Sequence, residues 1–198
     1  MTSLARAVRT VAAGFAPVTT SEAKKQLEIA DAITTHDIHI GHLIDTATEL
    51  IEADTGVALC SSTWQCKLDE WPAAGYIELP IRPVSAIGSI TYYDTSGSSQ
   101  TWSSANYTLD ANRVVPTIFP AYGVSFPSLY DIENAVTITM TAGYANQAAV
   151  PKLYQHLALL KVAQLFLQRE GYGIEGNRTE FETAYNSLLM RAIRSTYP

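Results

Sequence analysis

The sequence predicts an α+β fold: a four-helix core of two N-terminal and two C-terminal helices, with an antiparallel β-sheet domain inserted between them. Apolar residues recur at helical spacing before residue 58 and after residue 146, and they alternate every second residue between those positions. Glycine and proline stand at the changes of pattern. We therefore expect five segments: an N-terminal arm at 1–16, a helical part at 17–58, an inserted β-domain at 59–145, the helices completing the core at 146–194, and a tail at 195–198.

Two helices are predicted in the first helical part. Thr19 and Glu22 have the spacing of a capping box, which satisfies backbone donors at a helix start, so one helix begins there and is expected to end near Ala32. A second helix begins at about residues 35–37 and ends at Gly56, since glycine accepts the left-handed conformation of a helix cap. Its apolar residues share one face: Ile40, Ile44, Ala47 and Ile51.

The inserted domain is predicted to be one antiparallel sheet or a small barrel with one face buried. Its strand-like stretches are 63–68, 75–80, 87–94, 100–102, 107–109, 113–118 and 135–141. Cys66 lies on the apolar side of the first stretch, so we expect a buried thiol and not a disulfide with Cys60. Two cysteines alone are also too few for a structural zinc site.

Two further helices are predicted near the C-terminus. The first starts at Pro151, which suits a helix start, and runs to about Glu170. Its apolar residues cover most of the circumference, which indicates a place in the core or at a subunit interface. The second runs from about Arg178 to Arg194 and has a single apolar stripe.

The two ends of the chain are predicted to lie outside the core. The arm has arginines but no acidic residue, and polar residues interrupt it too often for a secretory signal, so we expect it to be flexible or ordered by a partner. The C-terminal end is cationic and aromatic, through Arg191, Arg194, Tyr197 and Pro198. It is either a frayed terminus or a docking peptide that orders on its partner.

Charge and composition limit the possible functions. The net charge is −6, which disfavours a general nucleic-acid binder because such proteins neutralise phosphate. Only 16% of the residues are charged, below the roughly 25% typical of soluble domains. No run approaches the roughly 20 apolar residues of a membrane span, so no membrane association is expected.

Catalytic motifs are not apparent in the sequence. The nucleophile elbow and the glycine-rich phosphate loop are both missing. His36, His39 and His42 are spaced to share nearly one helical face, and imidazole is an ordinary metal ligand. They also stand at a helix start, where polar residues are common, and they lack the paired HExxH pattern. We expect no catalytic or metal site, with a small metal-dependent enzyme as the alternative.

A long aromatic segment follows the predicted strands. Residues 119–134 show no period, and they lack the polar composition of ordinary loops. Loops of this length without internal structure are usually functional or disordered, and the aromatic residues argue against plain disorder. The segment either folds back as a lid over its own sheet or forms an exposed contact, as in a binding module. Four residues are candidates for a subunit or tail interface: Phe119, Tyr122, Phe126 and Tyr130.

Several stretches resemble the head-to-tail connector (adaptor) proteins of tailed bacteriophages. They are VTTSEAKKQLEI, ELIEADTGVAL, STWQCKLDEWP, ITYYDTSGSSQTW and TAGYANQAAVPKLYQHLALLKVAQLF. The resemblance covers roughly residues 17–193, and its most specific part is the TAGY strand end before a proline-started apolar helix. The chain departs from the family at its N-terminal extension, its aromatic segment and its C-terminal tail.

The resemblance implies a structural virion protein without catalytic residues or cofactors. It implies a ring of identical copies, typically twelve, in the neck between capsid and tail, assembled in the host cytoplasm. Such a ring sits under the portal protein, extends the channel for packaged double-stranded DNA, and carries the tail or a stopper protein. Within this picture Arg191, Arg194, Tyr197 and Pro198 are expected to dock on the portal. A stopper or tail-completion protein is the alternative within the neck.

Overall fold

The computed structural model describes residues 7–168 and 175–194, with only the backbone described at 175–182 and 194. The chain forms two compact units. Among the described residues, the β unit contains 7–14 together with Ser61–Gly143, and the helical unit contains Phe15–Cys60 and those from Tyr144 onward. The inserted β-domain was expected at 59–145 and lies at Ser61–Gly143. Residues 7–14 were expected to belong to a separate arm, but they are part of the β unit.

The described part of the helical unit contains the four expected helices. They are α1 (Thr20–Gln26), α2 (Asp37–Thr55), α3 (Lys152–Leu167) and α4 (Glu175–Arg194). The predicted capping box opens α1: the Thr19 N–H donates to the Glu22 carboxylate at 2.7 Å, and the Glu22 N–H donates to the Thr19 hydroxyl at 3.1 Å. None of the helices described here is long and apolar enough to span a bilayer.

Helix α1 ends earlier than Ala32, so that part of the prediction is wrong. Glu28 adopts a left-handed conformation with φ 57°, and the N–H of Ile29 returns to the carbonyl of Lys24 at 2.9 Å. This is a Schellman ending built on glutamate instead of glycine, so no sequence signal marks it. The Lys24 ammonium, which is only 3% exposed, then pairs with Asp37 at the start of α2 at 2.5 Å.

Helix α2 follows its predicted pattern. All four residues of the predicted apolar face are buried: Ile40, Ile44, Ala47 and Ile51. The helix ends at Gly56, whose φ is 65° and whose N–H donates to the Glu52 carbonyl at 2.9 Å. The Glu52 carboxylate is buried as well and accepts the Leu59 N–H at 2.7 Å, which holds the chain as it leaves the helix.

Helix α3 buries only part of its apolar surface, and the bounds of both C-terminal helices differ from the prediction. Pro151 caps α3 instead of occupying its first turn, and the helix ends at Leu167, before the predicted Glu170. One side of α3 is buried, at Tyr154, Gln155, Leu157, Ala158, Val162 and Ala163, whereas Leu167 is 67% exposed. Helix α4 begins at Glu175, earlier than the expected Arg178.

The β unit contains two antiparallel sheets, so the single sheet or small barrel is wrong. A five-stranded sheet has the order β1–β2–β8–β4–β5, and a three-stranded sheet has the order β3–β7–β6. The strands are β1 (Ala7–Val11), β2 (Ser62–Leu68), β3 (Ile77–Glu78), β4 (Val84–Tyr93), β5 (Ser99–Trp102), β6 (Tyr107–Asp110), β7 (Thr117–Pro120) and β8 (Val136–Ala142). Alternation predicts which side of a strand is buried but not which strand pairs with which, and here β3, β6 and β7 pair only among themselves.

Alternation correctly predicts the buried face of the central strands. In β8 the buried residues are Val136, Ile138, Met140 and Ala142, and β2 opposite buries Trp64, Cys66 and Leu68. Cys60 and Cys66 are both buried and form no disulfide, and burial raises the pKa of the Cys66 thiol to about 11.

The expectation of an arm without structure of its own is wrong for Ala7–Val11, which forms the edge strand β1. This strand pairs with β2, and the Arg9 guanidinium lies over the Trp64 ring, 4.7 Å from its centroid. The Thr10 hydroxyl also donates to the Thr63 carbonyl at 3.3 Å. A five-residue strand with a central arginine gives too weak an alternation to be predicted.

Candidate interaction surfaces

The histidine cluster is engaged with an aromatic side chain. The rings of His36 and His39 lie 6.0 and 6.1 Å from the ring of Phe166 in α3. His42 is exposed further along α2. Within residues 7–168 and 183–193, no three His, Cys, Asp or Glu side chains are arranged to hold a metal ion.

The base of the aromatic loop, residues 119–134, packs against the β unit through Phe126. Its ring stacks on Trp71 with centroids 4.7 Å apart and an interplanar angle of 10°. It also contacts Trp102 at 5.4 Å, and Trp102 is only 4% exposed. The Trp71 indole N–H donates to the Pro127 carbonyl at 2.8 Å, which fixes the adjoining backbone. This part of the loop therefore covers its own sheet, as one of the two alternatives expected.

The tip of the loop has the opposite character. Ala121 to Val124 form a tight turn, in which the Val124 N–H donates to the Ala121 carbonyl at 2.9 Å and Gly123 has φ 75°. This positive φ at the third position is that of a type II turn, which favours glycine. Tyr122 precedes it with a fully exposed side chain. The tip therefore presents an aromatic ring on an ordered turn.

The other two loop candidates are also divided. Phe119 is half-buried, with its ring 5.6 Å from that of Tyr76 and the Arg113 guanidinium 5.2 Å above it. Tyr130 is 46% exposed, although its backbone N–H donates to the Tyr93 carbonyl at 3.0 Å. Phe119 and Phe126 thus pack within the β unit, whereas Tyr122 and Tyr130 are available for contact.

The C-terminal candidates lie at the end of α4 and beyond it. Arg191 is exposed beside Met190, which is 59% exposed. The backbone of Arg194 is the last residue of the helix, and Tyr197 and Pro198 lie outside the described residues. Docking by this end therefore stays a prediction.

Two grooves in the helical unit were not predicted. The α1–α2 groove, of about 410 Å³, is lined among others by Phe15, Ala16, Val18, Gly41, Ile44 and Asp45. The second groove, of about 480 Å³, is lined by Glu28, Ile29, Ile33, His36, Phe166 and Leu167. Several of these residues, such as Phe15 and Ile33, lie in connections where no period applies, so only their apolar character was visible in the sequence.

The α1–α2 groove has a polar border on its α1 side. Gln147, which also lines the groove, donates from its side-chain amide to the Glu22 carboxylate at 2.7 Å. The pKa of Glu22 is lowered chiefly because its carboxylate accepts the Thr19 backbone N–H. A carboxylate held in this way stays ionised and keeps the start of α1 fixed beside the groove.

No protein-family model and no curated protein matches the chain. Its fold is similar to that of chains in three solved structures, each 22% identical in sequence. One is the neck of an empty gene transfer agent (GTA) particle computed with C6 symmetry, with TM-score 0.75 over 94% of each chain. The second is the virion of the native GTA particle, with TM-score 0.75 over 93% of each chain. The third is the neck of the native GTA particle computed with C12 symmetry, with TM-score 0.64 over 81% of this chain and 82% of that one. At this identity the likeness establishes a shared fold that includes both units.

Proposed function

We propose that this protein is a head-to-tail connector of the adaptor type, in the neck of a tailed-phage or phage-like particle. The observation that carries the proposal is the fold, which it shares over nearly its full length with chains from GTA neck and virion structures. The connector-like segments of the sequence support it independently. The four helices weigh against a stopper or tail-completion protein, for which we expect mainly β structure.

A ring of twelve copies is the assembly that we propose. The related neck structures were computed with sixfold and twelvefold symmetry, and a twelvefold ring satisfies both. Such a ring needs heterologous contacts, in which one surface of a copy meets a different surface of the next. The exposed Tyr122 on its ordered turn is suited to such a contact. Exchange of Tyr122 for Ser is expected to weaken ring assembly, and wild-type assembly would count against this role.

The proposed ring performs no reaction and conducts DNA. The chain carries a net charge of −6, and an acidic channel lets packaged double-stranded DNA slide because few cations hold its phosphates. A strongly basic lumen in an assembled ring would contradict this part of the proposal.

We propose the C-terminal end for the contact with the portal protein. Arg191 is exposed at the end of α4, and a short cationic and aromatic segment follows it. Removal of residues 194–198 should abolish assembly onto portal rings and leave the circular dichroism spectrum and melting temperature unchanged. Undiminished co-assembly of this variant with portal rings would refute the assignment.

Image reconstruction of the neck in purified particles tests the function itself. We expect this chain as a twelve-membered ring directly beneath the portal, on the side facing the tail. Its location one ring further from the portal would favour a stopper or tail-completion protein. Its absence from purified particles would overturn the proposal.

A further inference from the structure

Gly41 lies in the first half of α2 and lines the α1–α2 groove. A Cβ atom at this position would meet no heavy atom of the described residues within 4 Å. Glycine inside a helix is destabilising relative to alanine, because it loses more backbone freedom on folding. The fold of a single copy therefore does not require this glycine, and its effect is to leave the backbone of α2 accessible from the groove.

The groove combines apolar walls with one exposed carboxylate. Phe15 and Ala16 are half-buried and supply the accessible apolar surface, with the buried Val18 and Ile44 beneath them. Asp45 follows Ile44 on the exposed side of α2. Within the part of the chain that the structure describes, Asp45 forms no ion pair with a Lys or Arg. Such a site is complementary in charge to a segment that carries an exposed apolar side chain next to a cation.

Three places among the described residues have this combination. Val8 is exposed next to Arg9, but the Arg9 guanidinium already lies over the Trp64 ring, 4.7 Å from its centroid. Met190 and Arg191 lie on α4, at the end that we assign to the portal. Arg113 and Val114 lie in the turn between β6 and β7, where the Arg113 side chain is 51% exposed and Val114 is 36% exposed. Arg113 is 3.8 Å from Asp110 and its guanidinium lies 5.2 Å above the Phe119 ring, and each of these exposed contacts contributes little. Residues 111–114 of this turn are all exposed, whereas Arg191 is followed on its helix by the buried Ala192, so the turn has more free surface to place in a groove.

We propose that the Arg113–Val114 turn of one copy docks in the α1–α2 groove of a neighbouring copy, with Val114 against α2 at Gly41 and Arg113 paired with Asp45. The inference rests on the proposed ring and names the contact that closes it. A surface of the β unit meets a different surface, on the helical unit of the next copy, as a heterologous contact requires.

Charge reversal tests the pairing in the full-length chain. Association is measured by sedimentation velocity for the wild type, Asp45→Arg, Arg113→Asp and the double variant. Each single reversal is expected to weaken association by about tenfold or more, and the double variant should recover most of the loss. Asp54→Arg is the matched control, because it makes the same charge change at an exposed position of α2 that lies outside the groove and is too far along the helix to pair with Asp45. It should associate like the wild type.

Filling the groove tests the apolar half of the contact. Gly41→Leu should weaken association by about tenfold, whereas its melting temperature should not fall, because an added Cβ meets no heavy atom of the described residues within 4 Å and leucine is a better helix former than glycine. Loss of association in Gly41→Leu together with a lower melting temperature would count against the steric argument.

Three results would overturn this docking mode. The first is that Asp45→Arg and Arg113→Asp both associate like the wild type. The second is that the double variant associates as weakly as the single variants. The third is that association is weakened by substitution of Arg191 and not by substitution of Arg113. A wild-type chain that stays monomeric at its solubility limit would also overturn it, yet would leave standing a ring that forms only on a portal. Conversely, rescue by the double variant without a neck ring in particles would support the contact and refute the proposed function.

Discussion

Phe126 and Tyr122 occupy one loop but are expected to respond very differently to substitution. Truncating a fully buried phenylalanine to alanine costs about 3–5 kcal/mol, and the cost is smaller for Phe126 because its side chain is only partly buried. Its stack on Trp71 at 4.7 Å and its contact with Trp102 at 5.4 Å contribute further. We therefore predict that Phe126→Ala lowers the free energy of unfolding by about 2–3 kcal/mol.

Tyr122→Ala is the matched control, since its fully exposed ring should leave the free energy of unfolding within about 0.5 kcal/mol of the wild type. Guanidinium unfolding followed by tryptophan fluorescence measures both variants, because Trp71 and Trp102 are the rings that lose their neighbour. Equal stability of Phe126→Ala and the wild type would refute the anchoring role of this residue. A loss of similar size in Tyr122→Ala would show that the tip of the loop is packed and not exposed.

Four further predictions concern local features. Glu28→Gly should raise the free energy of unfolding by about 1 kcal/mol in denaturant titrations, because glycine accepts the left-handed φ of 57° without strain; a lower stability would contradict the Schellman ending. Glu52→Ala should cost about 1–3 kcal/mol by removing the acceptor of the buried Leu59 N–H, whereas Glu52→Gln keeps an acceptor and should cost less. Cys66 should resist thiol reagents at pH 8 until the protein unfolds, since burial raises its pKa to about 11, and rapid labelling of the native chain would contradict that burial. Hydrogen bonds from Ser96, Gln100 and Ser98 lower the pKa of Asp94 to about 2, so its turn gains stability above the unfolded pKa and loses it as pH falls from about 4 towards 2; NMR titration of the Asp94 carboxyl checks the value, and a midpoint near 4 would show that these bonds do not persist.

The parts of the fold that the sequence predicts are those in which many side chains repeat one signal. The stripe of α2 and the alternation of β8 each bury several residues against one core, so their periods are visible without a structure. The end of α1 depends on the backbone of Glu28 alone, and β1 depends on five residues, of which Arg9 is half-buried over a tryptophan. Single conformations and long-range pairings of this kind leave no repeated pattern in the sequence.

The candidate surfaces were predictable as residue types but not as positions. The aromatic residues of 119–134 identified a segment rich in contacts, but not which of its rings are buried. Phe126 packs against Trp71, whereas the ring of Tyr122 is exposed. Which ring is buried depends on Trp71 and Trp102, which lie far from the loop in sequence. The α1–α2 groove is similar, because Gly41 belongs to a regular helix and its open surface depends on what the rest of the chain leaves uncovered.

The proposed contact explains why a free subunit and a ring can have very different stabilities. One Val114 side chain and one exposed ion pair contribute only about 1–2 kcal/mol together, so two free copies associate weakly and their association is measured at protein concentrations close to the solubility limit. In a closed ring every copy makes this contact twice, and the last contact forms without immobilising a further copy, so its full free energy adds to the stability of the ring. A portal bound through the C-terminal ends would raise the effective concentration of neighbouring copies in the same way. Ring closure is therefore expected to be most favourable on the portal, and weak association of the purified chain is compatible with a complete ring in the particle.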